Sequence, residues 1–539
     1  MKYDRADYRL FALIIVAIML LSITCLNNTC YWGDDFAAYI SEGIAIADGY
    51  FEKQVELNML MHPSELPDEA QSGTLVYVWG YPLILAMVYK LVGFDRVGFS
   101  SIIYYKLPSA IALALLAGIM YLFLRRRFSK LLSSGLAFMF CACYEFRVFI
   151  NTLYSDVVFL FFVMLSLLVQ DMFVNRRSNK LKIGIILGII LWFTYEIRLN
   201  GISILFASMV ACIVAYVRDK DNKGGKHILG VASPFIVFFA AKLISEAVLA
   251  PATSNTSDIS GVTFATVISN VSSYYDSACT WFKLVLNDAL FNWLNIVLTS
   301  MTASGQDTYG TIQHFCDTLS SGCVTVLMLL ALGGAAIKGV KNELHLTLFA
   351  LVYLAVVSML PYNQGVRYIY PIMVLVPLYV GYALTDISGF ISQYITPKLR
   401  RISKYTGLAI ITLLCFLTFI SAVRGNIYSR EHLEYIVPQG QEDFYKMYAY
   451  TPCSIEAYNF IIENTNEDCV IGFYKPRALY LNTQRMSIRT DINGHSIDEV
   501  DYFLVCADVG EEQINNCKDI VFENIFSNTE FTLYEKVVK

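Results

Sequence analysis

Two adjacent carboxylates stand in the stretch Tyr31-Trp32-Gly33-Asp34-Asp35-Phe36-Ala37-Ala38-Tyr39. Neighbouring acids at a low-dielectric surface repel each other, which makes at least one of them a better base unless a cation or a donor compensates. Such a pair suits two kinds of work. One carboxylate can take the proton of an attacking hydroxyl, or the two together can hold a cation. It also suits plain structure, because acids in the first turn of a helix complement its dipole. Both readings stay open on these residues alone. Glu42 follows on the same segment, and His314 is the only histidine in residues 250–320. His314 with an acid such as Glu42 offers ligands for a divalent metal ion, and as a lone loop histidine it is ordinary polar surface.

The elements that must position these groups are set by an extreme composition. Of 539 residues, 56% are hydrophobic and 16% charged, with a mean hydropathy of +0.52, which is far too apolar for a soluble protein. The net charge of -5 supplies no basic field for a phosphodiester backbone, so nucleic acid is not an expected partner. Apolar runs of bilayer length fall at 10–26, 108–124, 131–149, 155–174, 181–197, 200–217, 228–249, 321–338, 344–361, 368–386 and 405–423, eleven spans in all. Two more stretches, 76–93 and 282–300, are broken by Gly, Pro, Asn or Asp and read as interfacial or re-entrant pieces, or as an extra pair. The expected fold class is therefore an α-helical polytopic membrane protein of about 11 to 13 transmembrane helices. The first run, Leu10 to Leu26, lacks a small-residue cleavage site and reads as a retained helix.

Sidedness follows from lysine and arginine, which short cytoplasmic loops retain during insertion. Lys2, Arg5 and Arg9 precede the first span, and Arg125, Arg126, Arg127 and Lys130 follow the second. Arg176, Arg177, Lys180, Lys182, Arg218, Lys220, Lys223, Lys226, Lys398, Arg400, Arg401 and Lys404 fall on the same side. The stretch between the first two spans is instead acidic, with Asp34, Asp35, Glu42, Asp48, Glu52, Glu56, Glu65, Asp68 and Glu69. The N-terminus is thus expected in the cytoplasm, and the large segments 27–107, 250–320 and 424–539 outside. No Walker A loop, dinucleotide fingerprint or His-Glu-x-x-His helix is present, which speaks against an ATP-driven pump.

After Arg424 the chain turns polar, and 424–539 reads as a small extracytoplasmic α/β domain appended to a membrane domain of residues 1–423. Ser454 is positioned to cap a helix through Ile462, and Cys469 to Tyr474, Leu479 to Asn482, Tyr502 to Cys506 and Phe531 to Val538 read as strands. With no nucleophile and base in evidence, this domain is expected to act as a lid or scaffold. Of thirteen cysteines, Cys25, Cys141, Cys143, Cys212, Cys323 and Cys415 lie in or beside spans and are expected as packing residues. Cys279 and Cys316 share an outer loop, and Cys453, Cys469, Cys506 and Cys517 share the tail, where an oxidising exterior permits pairing.

Several motifs in order carry a resemblance. An acidic pair just past the first helix is followed by Val78-Trp79-Gly80-Tyr81-Pro82-Leu83-Ile84-Leu85-Ala86, and then by Lys106-Leu107-Pro108-Ser109-Ala110 opening the next span. Further on come Tyr154-Ser155-Asp156, Arg198-Leu199-Asn200-Gly201, Gly365-Val366-Arg367-Tyr368-Ile369-Tyr370-Pro371 and, in the tail, Lys475-Pro476-Arg477-Ala478-Leu479. Together they resemble the GT-C superfamily of polytopic glycosyltransferases, in particular the protein O-mannosyltransferase and lipid A aminoarabinose transferase branch. The resemblance covers nearly the whole chain.

It implies a catalytic carboxylate in the first outer loop, at Asp35 or Asp34 with Asp35 favoured, and a second outer acid at Asp156, whose alternative role is helix capping beside Ser155. The arginines facing a lipid phosphate correspond to Arg367 and Arg198. Such residues can snorkel, yet a guanidinium fork also matches phosphate geometry. Glu145 and Arg147 lie near Asp156 in the topology, as an ion pair or as part of the same polar site. The Lys-Pro-Pro element of the aminoarabinose branch is replaced by Trp79-Gly80-Tyr81-Pro82, which leaves more of the phosphate contact to arginine.

The activity this implies is transfer of a sugar from a polyprenyl-phosphate donor to an extracytoplasmic acceptor that is a glycolipid, a cell-envelope polysaccharide or a protein. Nucleotide sugars are absent outside the membrane, so the donor arrives already flipped on its lipid. The expected setting is a multi-pass protein of a bacterial inner membrane. The rival readings are a lipid-linked sugar transporter or flippase, which would show inverted repeats or paired broken helices, and an O-antigen-type polymerase.

Overall fold

The computed structural model describes residues 3–28, 30, 35–61, 77–96, 101–175, 180–218, 225–248, 263–301, 306–360, 365–394, 396–431, 449–489, 499–506 and 521–537. Helix formation begins where capping allows it. Asp4 accepts the amides of Ala6 and Asp7 while Asp7 returns a bond to the Asp4 amide, a reciprocal cap that starts α1 (Arg5–Cys25). Then come α2 (Asp35–Asp48), α3 (Phe51–Met61), α4 (Gly80–Val92), α5 (Ile102–Arg125), α6 (Lys130–Cys141), α7 (Tyr144–Asn151), α8 (Asp156–Asn175), α9 (Lys180–Ile197), α10 (Ile202–Arg218) and α11 (Gly225–Val248). The second half holds α12 (Phe264–Leu286), α13 (Asn292–Met301), α14 (Gln306–Gly334), α15 (Val340–Asn342), α16 (Leu344–Ser358), α17 (Tyr370–Met373), α18 (Val376–Ile391) and α19 (Pro397–Glu431).

Among the described residues six single helical stretches are long and apolar enough to cross a membrane, within α1, α5, α8, α11, α14 to α15 and α19, and eight when two bent pairs are each counted as one span. Three of the eleven expected spans fall on lesser helices: 200–217 on α10, 344–361 on the 15-residue α16, and 181–197 on α9, which carries Lys180, Lys182 and Glu196. The expected span 131–149 is not one helix. It bends by 50° between α6 and α7, where Arg147 and Asn151 turn to partners on α19 and α1. The expected span 368–386 bends by 43° before α18, where Pro377 supplies no amide to continue the ladder. The broken stretch 76–93 is the 13-residue α4. The stretch 282–300 becomes the end of α12, a π turn at Asn287–Phe291 and α13.

α5 and α8 form the inside of the bundle, and most of their apolar windows are buried. α1, α11, α14 and α19 turn Leu13, Leu20, Phe239, Leu243, Leu329, Leu332, Leu413 and Phe416 outward, the surface expected of helices solvated by lipid. α9 and α11 pack closely because Gly188 leaves room: a Cβ there would stand 2.5 Å from the Pro234 carbonyl oxygen.

One end of the bundle is closed by arginine. Arg127 spans Asp171 (2.9 Å) and Glu343 (2.7 Å), Arg126 also pairs with Asp171, and the Tyr382 hydroxyl donates to Glu343. Arg125 and the Tyr121 hydroxyl both bind the buried Asp7. These contacts tie α1, α5, α8, α16 and α18 together.

The tail opens with α20 (Pro452–Asn464), then β1 (Val470–Gly472), α21 (Pro476–Thr483), β2 (Met486–Ile488), β3 (Tyr502–Cys506), β4 (Val521–Ser527) and β5 (Phe531–Val537). The sheet order is β2-β1-β3-β5-β4, parallel among the first three and antiparallel thereafter. Thr451 rather than Ser454 is the cap of α20; Ser454 completes the reciprocal bond one turn in. Residues Leu479 to Asn482, expected as a strand, lie in α21, because Pro476 presets the helical backbone at its first turn. No disulfide joins two of the twelve described cysteines.

Candidate active site

Asp35 is the first residue of α2, and Asp34 lies outside the described residues. The Asp35 carboxylate stands 4.0 Å from the Arg367 guanidinium. Arg367 is carried on a 3-10 turn, Val366–Ile369, that Gly365 introduces at φ +82°, a backbone conformation that favours glycine. Its guanidinium lies over the rings of Tyr154 and Tyr368, with the charge 4.9 and 5.4 Å from their centroids.

Asp156 begins α8 and is almost wholly buried. Its Oδ1 pairs with Arg198 at 2.8 Å, and among the described residues its Oδ2 has no hydrogen-bond partner. Arg198 sits in extended backbone at the break between α9 and the 3-10 turn Leu199–Gly201, and its charge lies 4.9 Å from the centre of the Tyr368 ring. Tyr368 thus touches both arginines.

The two halves meet through Tyr39. One turn past Asp35 on α2, its hydroxyl lies 3.0 Å from Ser155 Oγ, which Arg198 also approaches at 3.4 Å. Its ring stacks on Tyr77 at 4.1 Å and meets the edge of Tyr81 at 4.9 Å. Both phenols are held well above their usual range, chiefly by burial. For Tyr77 the Asp35 carboxylate, with which its hydroxyl also hydrogen-bonds, pushes the same way; for Tyr39 Arg198 opposes the shift. These tyrosines stay protonated donors at neutral pH. α4, which follows Tyr77, is seated against α9 by Gly80, where a Cβ would stand 2.6 Å from the Glu196 carbonyl oxygen.

Asp35, Asp156, Arg198 and Arg367 therefore form one cluster, with both carboxylates acting electrostatically on Arg367. Glu42 and His314 are not part of it. Glu42 is buried on α2 and accepts from Asn58, and His314 is exposed on α14 beside Thr318. Among the described residues the grouping that could hold a metal ion is Asp171, Glu343 and His345, whose ligand atoms lie within 4.8 Å of one another at the arginine end. Arg126 and Arg127 already engage both carboxylates, so an ion there would have to displace charged partners. Arg147 donates to the Ala422 carbonyl and to Asn426 on α19, tethering α7.

Tyr39, Tyr77, Tyr154, Ser155 and Tyr368 complete the cluster, and none was assigned a site role by sequence. Tyr39, four residues from Asp35, shares its helical face, and Tyr154, Ser155 and Tyr368 stand inside the motifs around Asp156 and Arg367.

No family model matches this chain, and no curated protein matches it. Among solved structures it is similar to ArnT from Cupriavidus metallidurans bound to undecaprenyl phosphate, with 10% identity over 97% of each chain and a TM-score of 0.53. The chain shares the fold of that structure. Oligosaccharyltransferase structures from Archaeoglobus fulgidus also match. One is AglB with an inhibitory peptide and a dolichol-phosphate (12% identity, 93% of this chain and 70% of that one, TM-score 0.48). Another is a complex with Zn and sulfate (13%, 92% and 68%, TM-score 0.47). In this chain the four charged residues gather where α2, α8, the α9–α10 break and the turn before α17 converge.

Proposed function

We propose that the protein is a glycosyltransferase that moves a sugar from a polyprenyl-phosphate donor to an acceptor hydroxyl on the outer side of the membrane. The observation that carries this reading is the convergence of Asp35 with Arg367 and of Asp156 with Arg198 at one end of an apolar bundle. A carboxylate and a guanidinium are the two charges such a transfer needs, one for the proton of the nucleophile and one for the phosphate that departs.

In this reading Asp35 takes the acceptor proton as the acceptor oxygen attacks the anomeric carbon. The bond from that carbon to the phosphate oxygen breaks, and its electron pair leaves on the lipid phosphate, facing Arg367 and Arg198. A single displacement inverts the anomeric centre. Asp156 holds Arg198 in place and presents its free oxygen to the sugar or the acceptor. The ArnT structure that shares the fold was solved with undecaprenyl phosphate, which supports a lipid-phosphate donor. The acceptor is a glycolipid, an envelope polysaccharide or a protein, and the tail covers the outer face.

The test is transfer of radiolabelled sugar from a panel of polyprenyl-phosphate sugars by the purified protein in lipid, with Asp35→Asn alongside. Label reaching an acceptor or water with the wild type alone is the expected result. Label crossing the bilayer unchanged, equally with the variant, would replace this reading by a flippase.

A further inference from the structure

The segment that bears the acidic pair is gripped on both sides of it by the tail. Four residues before Asp34, the Cys30 carbonyl accepts the Ala449 amide at 2.7 Å. Immediately after Asp35, the Phe36 ring meets the edge of Tyr450, with ring centroids 6.0 Å apart at 65°. All four of these residues are buried.

The gripping element is itself rigid. Ala449 and Tyr450 precede Thr451, the cap of α20, and the Ala449 carbonyl accepts from both the Ser454 and Tyr458 hydroxyls, at 3.1 and 3.2 Å. Further contacts hold the same region: α21 packs on α2, and the Arg489 amide donates to Met61 at the end of α3. From the bundle side Lys106 Nζ donates to the Asn27 carbonyl at 2.8 Å. The chain is thus fastened at Asn27 and Cys30 ahead of Asp35 and at Phe36 just after it.

We propose that Tyr450 is a positioning residue: the tail sets the aim of Asp35 through the Phe36 ring, so the tail is part of the transfer machinery and not only a cover. This rests on the glycosyltransferase reading above. A misplacement of about 1 Å at a reacting group costs on the order of 100-fold in rate, which is the scale of effect to look for.

The experiment compares Tyr450→Ala and Tyr450→Phe in the full-length protein in lipid, reading kcat and donor KM with the active polyprenyl-phosphate sugar and hydrogen exchange across residues 35–45. Tyr450→Ala is expected to lower the unfolding temperature, as loss of a buried ring does, to lower kcat per folded molecule by roughly 10 to 100-fold, to leave donor KM nearly unchanged, and to speed exchange in the first turn of α2. Tyr450→Phe, which keeps the ring edge, restores both readouts. Unchanged kcat with Tyr450→Ala, or a loss that only follows the folded fraction, would overturn the proposal. Should the wild type transfer no sugar, the reading of the function fails on its own. The exchange measurement then still decides the fastening, with unchanged exchange in Tyr450→Ala counting against it.

Discussion

Asp156 and Arg198 form a buried ion pair at 2.8 Å in which one carboxylate oxygen is committed to arginine and the other has no hydrogen-bond partner among the described residues. Removing one member of such a pair strands a charge in a low dielectric and costs about 3–5 kcal/mol, whereas removing both is close to neutral. Asp156→Leu and Arg198→Met are therefore each expected to lower the unfolding temperature in lipid, and the double variant to recover most of it. Transfer activity should be lost in all three. Additive destabilisation would mean that the pair is not a coupled unit.

Arg367 faces Asp35 and stacks on tyrosines, so its planar fork is used as well as its charge. Arg367→Lys keeps the charge and loses the fork. It is expected to weaken transfer by about 1.5–3 kcal/mol of transition-state stabilisation, the worth of a hydrogen bond to a charged group. Steady-state kinetics with a defined donor would check this, and wild-type kinetics for the lysine variant would contradict it.

Gly80 lets α4 rest on the backbone of α9 at Glu196, and Tyr77 and Tyr81 flank it. Backbone on one side leaves no flexible neighbour to give way, so Gly80→Ala must move α4. A cost of about 1–3 kcal/mol is expected from overpacking, together with a loss of activity as Tyr77 shifts against Asp35. Thermal unfolding and transfer assays on the same preparation would separate the two effects.

Cys30 lies against the tail, and burial pushes its thiol up to about 11. A raised value means that folding favours the protonated form. That contribution is complete below the ordinary thiol range and is lost progressively as pH rises from there through about 11. Maleimide at pH 8 should leave Cys30 unlabelled in the folded protein and label it after denaturation, as peptide mass spectrometry would record. Rapid labelling of the native protein would show that the tail does not cover this segment.

At the opposite end, Arg127 bridges two acids and its loss leaves both exposed to each other. Arg127→Met is expected to destabilise by about 3–5 kcal/mol while the molecules that remain folded keep their kcat. A fall in kcat without a fall in stability would contradict the assignment of this cluster to structure.

The charged members of the candidate site, Asp35, Asp156, Arg198 and Arg367, were singled out by the resemblance of the motifs around them, and the cost of a carboxylate or guanidinium at the rim of an apolar span pointed the same way. Their pairing was not legible, since sequence places Arg147 as near to Asp156 as Arg198, and only packing sends Arg147 to Asn426. The tyrosines were hidden by number, as 36 are present and aromatic residues are ordinary at membrane interfaces. In the fold, apolar length marked where helices lie and missed where they break. The bend after α6 depends on hydrogen bonds from Arg147 and Asn151 to partners far along the chain. The helix α21 was mistaken for a strand because Ala478-Leu479-Tyr480-Leu481 reads equally well in either period, and the proline ahead of it decides.

The arginine bracket gives the bundle a stiff end and a soft one. Opening between α5, α8 and α16 at that end must break several charged contacts at once, whereas at the Asp35 end the chain is broken into the short helices α7 and α17 and two 3-10 turns. Local opening follows the cheaper path. The hinge of such an opening therefore lies at the arginine end, and the play at the end that carries Asp35.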